Sequence, residues 1–148
     1  PGFENSYIAL SAPQLGTQGG RRVVGEYVCT ARDMTSDEVF DDTVAVFPDN
    51  DNGEISAAHP SVCIPYRALV PKGVDGLLVA CRAFSSDYRF NEYFNLIPHC
   101  IAFGQAAGTA AALAVQSGVR PRDVDRAALR RSLLAQGVIL PDIGGHTP

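Results

Sequence analysis

Apolar residues fall into short runs over residues 21–81 and into long, helically spaced stretches after residue 97. Short turn-bounded runs rich in β-branched and aromatic residues predict strands, and spacings of three and four predict helices. Residues 1–20 are punctuated by Gly2, Pro13, Gly16, Gly19 and Gly20 and read as irregular. The run "RRVVGEYVCT" at 21–30 predicts a strand. The polar stretch 33–38 begins a short helical turn, 43–47 reads as a second strand, and 48–54 is a polar loop. Pro65 and Pro71 keep 63–71 extended and out of the middle of a sheet. After a turn at Lys72-Gly73, the continuous apolar run 76–81 predicts a strand buried on both faces, as in a parallel sheet.

A long helix is predicted over 98–117. Pro98 is tolerated in a first turn, where its missing N–H would have no partner, and Gly118 stops the helix. A second helix runs from about Asp125, its N-cap, to Gln136, with Gly137 as its stop. Val124 staples onto Leu129, and Leu129, Leu133 and Leu134 form the buried side with the arginines outside. Residues 141–148 read as a loose tail. The order strand, loop, long helix is half of an α/β fold, and α+β as an isolated piece. One strand with one crossing helix cannot bury both of its faces, so further structure is expected to cover them.

The chain has 148 residues, of which 46% are apolar and 19% charged, enough for one domain with a core. Its net charge of −4, without a basic run, argues against nucleic acid or an anionic membrane as partner. The apolar stretch 101–115 is too short and too alanine-rich to span a bilayer, and no signal peptide is visible. Cys29, Cys63, Cys81 and Cys100 share no CxxC spacing, so no metal site is expected, and they read as mostly buried free thiols in a cytoplasmic protein. The start at Pro1, with Met34 as the sole methionine, suggests a processed or excised piece.

The chemistry concentrates in 77–113. A strand ending at Cys81-Arg82 is followed by a polar, aromatic stretch and then by a helix start. Ligands of open α/β sheets bind at strand carboxyl ends, and helix N-termini offer unpaired N–H groups and partial positive charge. That combination suits an electron-rich, partly anionic ligand, a demand that a reduced flavin meets. Gly104 and Gly108 lie one turn apart on one helix face. Each costs about 1 kcal/mol relative to alanine, which points to close approach by another element. Tight packing explains both without any cofactor contact.

Three elements in this order, "IPYRALVP", "LLVACR" and "IPHCIAFGQAAGTAAAL", resemble the C-terminal region of a family of FAD-dependent oxidoreductases with a two-domain, glutathione-reductase-like flavin fold. The "RRVVGEY" run resembles an upstream, substrate-side segment of the same family, and the resemblance spans roughly 20–140. It implies that residues 1–71 belong to a substrate-side β region and that 72–140 form the C-terminal part of a Rossmann-like FAD-binding domain. It places Ala80, Cys81 and Arg82 near the ribityl and pyrophosphate region of FAD. It sets Asn95, Leu96, Ile97 and Pro98 by the pyrimidine edge of the isoalloxazine. The Gly104 and Gly108 face would pack on the sheet and the dinucleotide-binding helix, and Tyr66 and Arg67 would face or support the substrate side.

Three departures accompany it. Cys81 stands where the family usually has glycine, and Asn95 where it commonly has arginine. No GxGxxG occurs in the chain, although the family cradles the pyrophosphate with that fingerprint. An N-terminal FAD-binding chain, or the rest of a cleaved precursor, is therefore the expected partner. Beside the enzyme reading, in which a hydride passes between a small-molecule substrate and FAD, stands a non-catalytic structural subunit with a degenerate flavin fold. A Cys/His metal protein is a weaker third idea.

His99, in the helix's first turn, is a candidate proton donor or a packed polar residue. Tyr66 and Arg67 are candidates for orienting a carboxylate or carbonyl, the alternative being that Arg67 pairs with a structural acid. His59 reads as an exposed loop residue. The 49–54 loop fails the calcium register, because its closing glutamate position falls on His59.

Overall fold

A computed structural model describes residues 2–14, 16, 19–48, 58, 59 and 61–143. The polar loop 49–54 and residues 144–148, including His146, lie outside the described residues. Two strands, β1 (Thr43–Pro48) and β2 (Ser61–Pro65), pair antiparallel, with an irregularity between Thr43 and Ala45. Three α-helices follow: α1 (Tyr88–Phe94), α2 (Ile97–Ser117) and α3 (Arg126–Ala135). Short 3-10 turns occupy Ala31–Met34, Tyr66–Leu69 and Pro121–Asp123. The fold is a mixed α/β piece, with α2 lying across β1 and α3 alongside α2.

The helices end where the sequence places their stops. Gly118 and Gly137 both adopt positive φ, the left-handed conformation that glycine takes without strain. The Asp125 side chain accepts from the Ala127 N–H and caps α3. Val124 is buried ahead of that cap, in the same core as Leu129 and Leu133, whereas Leu134 is exposed. The core forms where β1 and β2 meet α1 and α2: Val44, Val62, Ile64, Leu69, Phe84, Phe90, Phe94 and Phe103 are all buried. Full burial of each large apolar side chain is worth about 1.5–3 kcal/mol.

Two expected strands are corrected. Residues 21–30 join no sheet. They thread over the 67–87 segment through isolated bridges at Gly25–Pro71 and Cys29–Ser86 and through single hydrogen bonds such as Val23 N–H to Ala83 O, 2.9 Å. The β-branched composition gave an extended segment, but its partners are turns and loops that cannot form a ladder. Residues 76–81 also form no strand, and Leu77 is 47% exposed. The single backbone bond Val79 N–H to Leu69 O, 2.9 Å, ties the run to the body. A strand buried on both faces needs neighbours on both sides, and no described element supplies them.

Helix α1 is an addition, in a stretch that reads as irregular. Asp87 caps it by accepting from the Phe90 N–H at 2.7 Å, and its other carboxylate oxygen accepts from the distant Ala31 N–H at 2.9 Å. Phe90 and Phe94, four apart, give it a buried side. Between α1 and α2 the chain bends by 97°.

Gly25 marks the tightest backbone approach. A Cβ there would meet Ser85 Cβ at 2.8 Å and Arg67 O at 3.0 Å, and the Gly25 N–H donates to the buried Ser85 Oγ at 2.8 Å. Gly25→Ala is expected to cost about 1–3 kcal/mol through overpacking, read as a lowered urea midpoint with an unchanged slope. An unchanged midpoint would show that the 21–30 segment is not docked this way.

Candidate functional site

Helix α2 has two apolar sides. One faces the core through His99, Phe103, Ala106, Ala107, Ala110 and Ala114. The other is a stripe of Ile97, Ile101, Gly104, Gly108, Ala111 and Val115, all exposed. Ile97, Ile101 and Val115 are 77%, 67% and 83% exposed. Their spacing of four and three places them on one line along the helix. A Cβ built on Gly104 or Gly108 meets nothing within 4 Å, so no close approach among the described residues explains these glycines. The expected packing of this face is absent among the described residues.

The stripe begins beside the run 77–82. Cys81 opens a tight turn, closed by Phe84 N–H to Cys81 O at 3.0 Å, with Ala83 N–H donating to Cys81 Sγ at 3.4 Å. Asn91 of α1 is buried and ties down this turn by donating to Arg82 O at 2.9 Å and Ser86 Oγ at 3.2 Å. Cys100, in the first turn of α2, lies against the same turn. Burial pushes its thiol up, the neighbouring Cys81 thiol adds to that, and a hydrogen bond from the Arg82 backbone pulls it down. The structure thus brings Ala80, Cys81 and Arg82 to the start of α2, where Asn95, Leu96, Ile97 and Pro98 sit. Cys81, Arg82, Leu96, Ile97 and Pro98 are exposed.

His99 holds that helix start. Its Nδ1 accepts from the Leu96 N–H at 3.2 Å, which leaves the neutral ring's proton on Nε2. The ring is buried, edge-on to Phe47 at 4.4 Å and tilted against Phe94 at 5.3 Å. Burial pushes the imidazole below its ordinary value. The unfolded chain therefore takes up this proton first as pH falls. The contribution of His99 is complete above about pH 6.5 and drains away as pH falls through the ordinary histidine range towards the lowered folded value. His99→Gln keeps an acceptor at this capping position but does not titrate. Urea midpoints at pH 7.5 and 5.5 should differ less in this variant than in the wild type; equal differences would remove His99 from the acid response.

Tyr66 and Arg67 lie elsewhere. They line a polar cleft of about 270 Å³ with Glu26, Arg122 and Asp123, and none of the residues at the α2 start borders it. Tyr66 is buried and donates to Pro121 O at 2.8 Å, and burial raises its phenol so that it stays a donor. Arg67 is paired with a structural acid: its Nε and Nη2 reach the two oxygens of Asp42 at 2.9 and 3.1 Å. His59 Nδ1 meets Asp37 Oδ2 at 2.7 Å at the surface. Among the described residues no group of three or more His, Cys, Asp or Glu side chains is placed to hold a metal ion, and no single helix is long and apolar enough to cross a membrane.

The helix start and the extended apolar run beside it form one wall that is open to solvent. The chain belongs to the FAD dependent oxidoreductase family, whose family model matches residues 1–133. No curated protein and no solved structure matches it. The family's cofactor is FAD. The exposed wall suits one side of that molecule: Leu77, Leu96 and Ile97 offer apolar surface, Arg82 a cation, and the N–H groups of Ile97 and His99, which have no intrahelical partner, the positive end of α2. It supplies no pyrophosphate cradle.

Proposed function

We propose that this chain is the C-terminal flavin-binding part of an FAD-dependent oxidoreductase and that a GxGxxG-bearing N-terminal polypeptide completes its site. The stripe on α2 is the observation that carries this reading. Two glycines in a helix interior cost about 2 kcal/mol together, and nothing among the described residues uses the space that they leave. A close-packed partner element would use it. The bound flavin supplies hydride acceptance or donation; the protein supplies orientation and electrostatics. In this reading Ala80, Cys81, Arg82 and Asn95–Pro98 lie along the cofactor, with Arg82 meeting negative charge. His99 acts from behind, by fixing the helix start that presents Leu96 and Ile97. Tyr66 and Arg67 shape the neighbouring substrate-side body.

The test is co-purification with the N-terminal FAD-binding polypeptide, followed by native mass spectrometry and a visible spectrum. One FAD per pair, reduced on addition of substrate, is the expected result. Gly104→Leu separates assembly from folding. Leucine favours the helix by about 1 kcal/mol over glycine, so the chain itself should unfold no more easily. The assembled protein should nevertheless lose FAD. A colourless wild-type complex would sink the proposal; a complex that holds FAD but shows no reduction with any substrate would favour the non-catalytic structural subunit.

A further inference from the structure

Helix α3 has a face that the flavin reading leaves unused. Ala127, Arg130, Arg131 and Leu134 recur at spacings of three and four and so lie along one side of the helix. With the 140–143 segment, Arg126 and Asp41 they border a cleft of about 560 Å³. None of residues 80–82 and 95–99 touches it, nor do Tyr66 and Arg67.

The cleft is part apolar and part cationic. Leu134, which shares the leucine spacing of the buried side, is 48% exposed here, and Ile143 is 42% exposed. Leu140 and Pro141 extend that apolar surface. Arg130 is the unusual cation. It is only 9% exposed, yet its hydrogen bonds go to neutral carbonyls: Nη1 to Thr43 O and Nη2 to Pro141 O, both at 2.7 Å. These use two of its five N–H donors. The ion pairs on this face belong to its neighbours, Arg126 with Asp41 at 3.1 Å and Arg131 with Asp125 at 4.0 Å; Arg130 makes none among the described residues. A buried cation without a paired anion is costly, and burial pulls this guanidinium below its ordinary value, offset in part by Cys63, Asp142 and Asp42. Two acids border the cleft. Asp41 is shared between Arg126 and Arg67, the latter at 3.8 Å, and Asp142 is exposed. Three guanidinium groups thus face two carboxylates.

We propose that this cleft binds a small monocarboxylate with an apolar body, such as a short fatty acid or an aromatic acid. Its carboxylate lies among Arg126, Arg130 and Arg131, and its apolar part against Leu134, Leu140 and Ile143. A carboxylate matches the planar guanidinium fork and supplies the counter-charge that Arg130 lacks. An inorganic anion would leave the apolar side unmet, and an uncharged apolar molecule would leave the cations unmet. The bound acid ties the 140–143 segment to α3, beside the Arg130–Pro141 hydrogen bond. The site stands whether or not flavin binds.

The test titrates hexanoate into the full 148-residue chain and follows the backbone amides by two-dimensional NMR. Saturable shifts are expected at Ala127, Leu134, Leu140 and Ile143. Acetate, which lacks the apolar part, should bind at least about tenfold more weakly. Hexanamide, which lacks the charge, should lose about as much. Arg126→Gln and Arg131→Gln, both at exposed side chains, should each weaken hexanoate about fivefold and leave the urea midpoint nearly unchanged. Leu134→Ser should weaken hexanoate but not acetate. Shifts that climb with hexanoate without saturating would overturn the site. So would equal binding of hexanamide, or an affinity that both arginine variants leave unchanged.

Discussion

Phe103→Ala is expected to lower folding stability by about 3–5 kcal/mol, the range for deleting a fully enclosed aromatic ring. Phe103 sits at the centre of the inner face of α2 with no exposure. Its ring meets Phe84 at 4.7 Å and Phe47 edge-on at 5.9 Å. It therefore joins three separate parts of the chain: β1, the 82–86 turn and the long helix. A cavity there cannot close easily, because β1 is fixed by its pairing with β2 and the turn by Asn91. Domains of this kind have about 5–15 kcal/mol in hand, so the variant should be close to unfolding at room temperature. Urea unfolding followed by circular dichroism reads the loss, and Phe103→Leu should restore more than half of it. A loss below about 1 kcal/mol would mean that the aromatic cluster is not the core described here.

The second large effect is expected at Asp42. Asp42→Ala should cost about 2–4 kcal/mol. Its carboxylate is fully buried and accepts three bonds from one residue: from Arg67 N–H at 3.0 Å, Nε at 2.9 Å and Nη2 at 3.1 Å. Its own carbonyl accepts from the Tyr66 N–H at 2.7 Å. The acid thus fixes the start of the 66–69 turn against the start of β1. Losing one partner of a buried pair costs up to about 5 kcal/mol when the other charge is stranded. Arg67 is not stranded, because its side chain is 31% exposed and Asp41 lies at 3.8 Å, so the lower range applies. A double-mutant cycle with Arg67→Ala should give a coupling above about 1 kcal/mol; additive losses would assign the effect to the backbone contacts alone.

Both effects show how far the sequence could be read. The bounds of α2 and α3 were legible because their signals are local: Pro98 at one start, Asp125 at the other, and glycines at both stops. The resemblance to the family singles out 80–82 and 95–98, and the structure places these two segments side by side. What was not legible depends on distant partners. The apolar run 76–81 carries the composition of a buried strand, but composition cannot say which neighbours are present. Asp87 heads α1 as an ordinary N-cap, yet its polar and aromatic stretch shows no clean period. No local feature links Asp42 to Arg67, Gly25 to Ser85, or the His99 ring to the Leu96 amide that it caps.

The threading of 21–30 over 67–87 also sets an order of events during synthesis. Val23, Glu26 and Cys29 donate to Ala83, Val70 and Ser85, and Asp87 N–H returns to Cys29 O. Each of these partners leaves the ribosome some 40–60 residues after the segment that it anchors, a wait of about 2–12 s at ordinary elongation rates. The hairpin of β1 and β2 has its partners nearer in the chain and can close meanwhile. Residues 21–30 cannot. A nascent chain paused before residue 87 will carry them bare, and a protease added to stalled chains of increasing length should cease to cut near Val28 only once the Ser85–Asp87 turn has emerged.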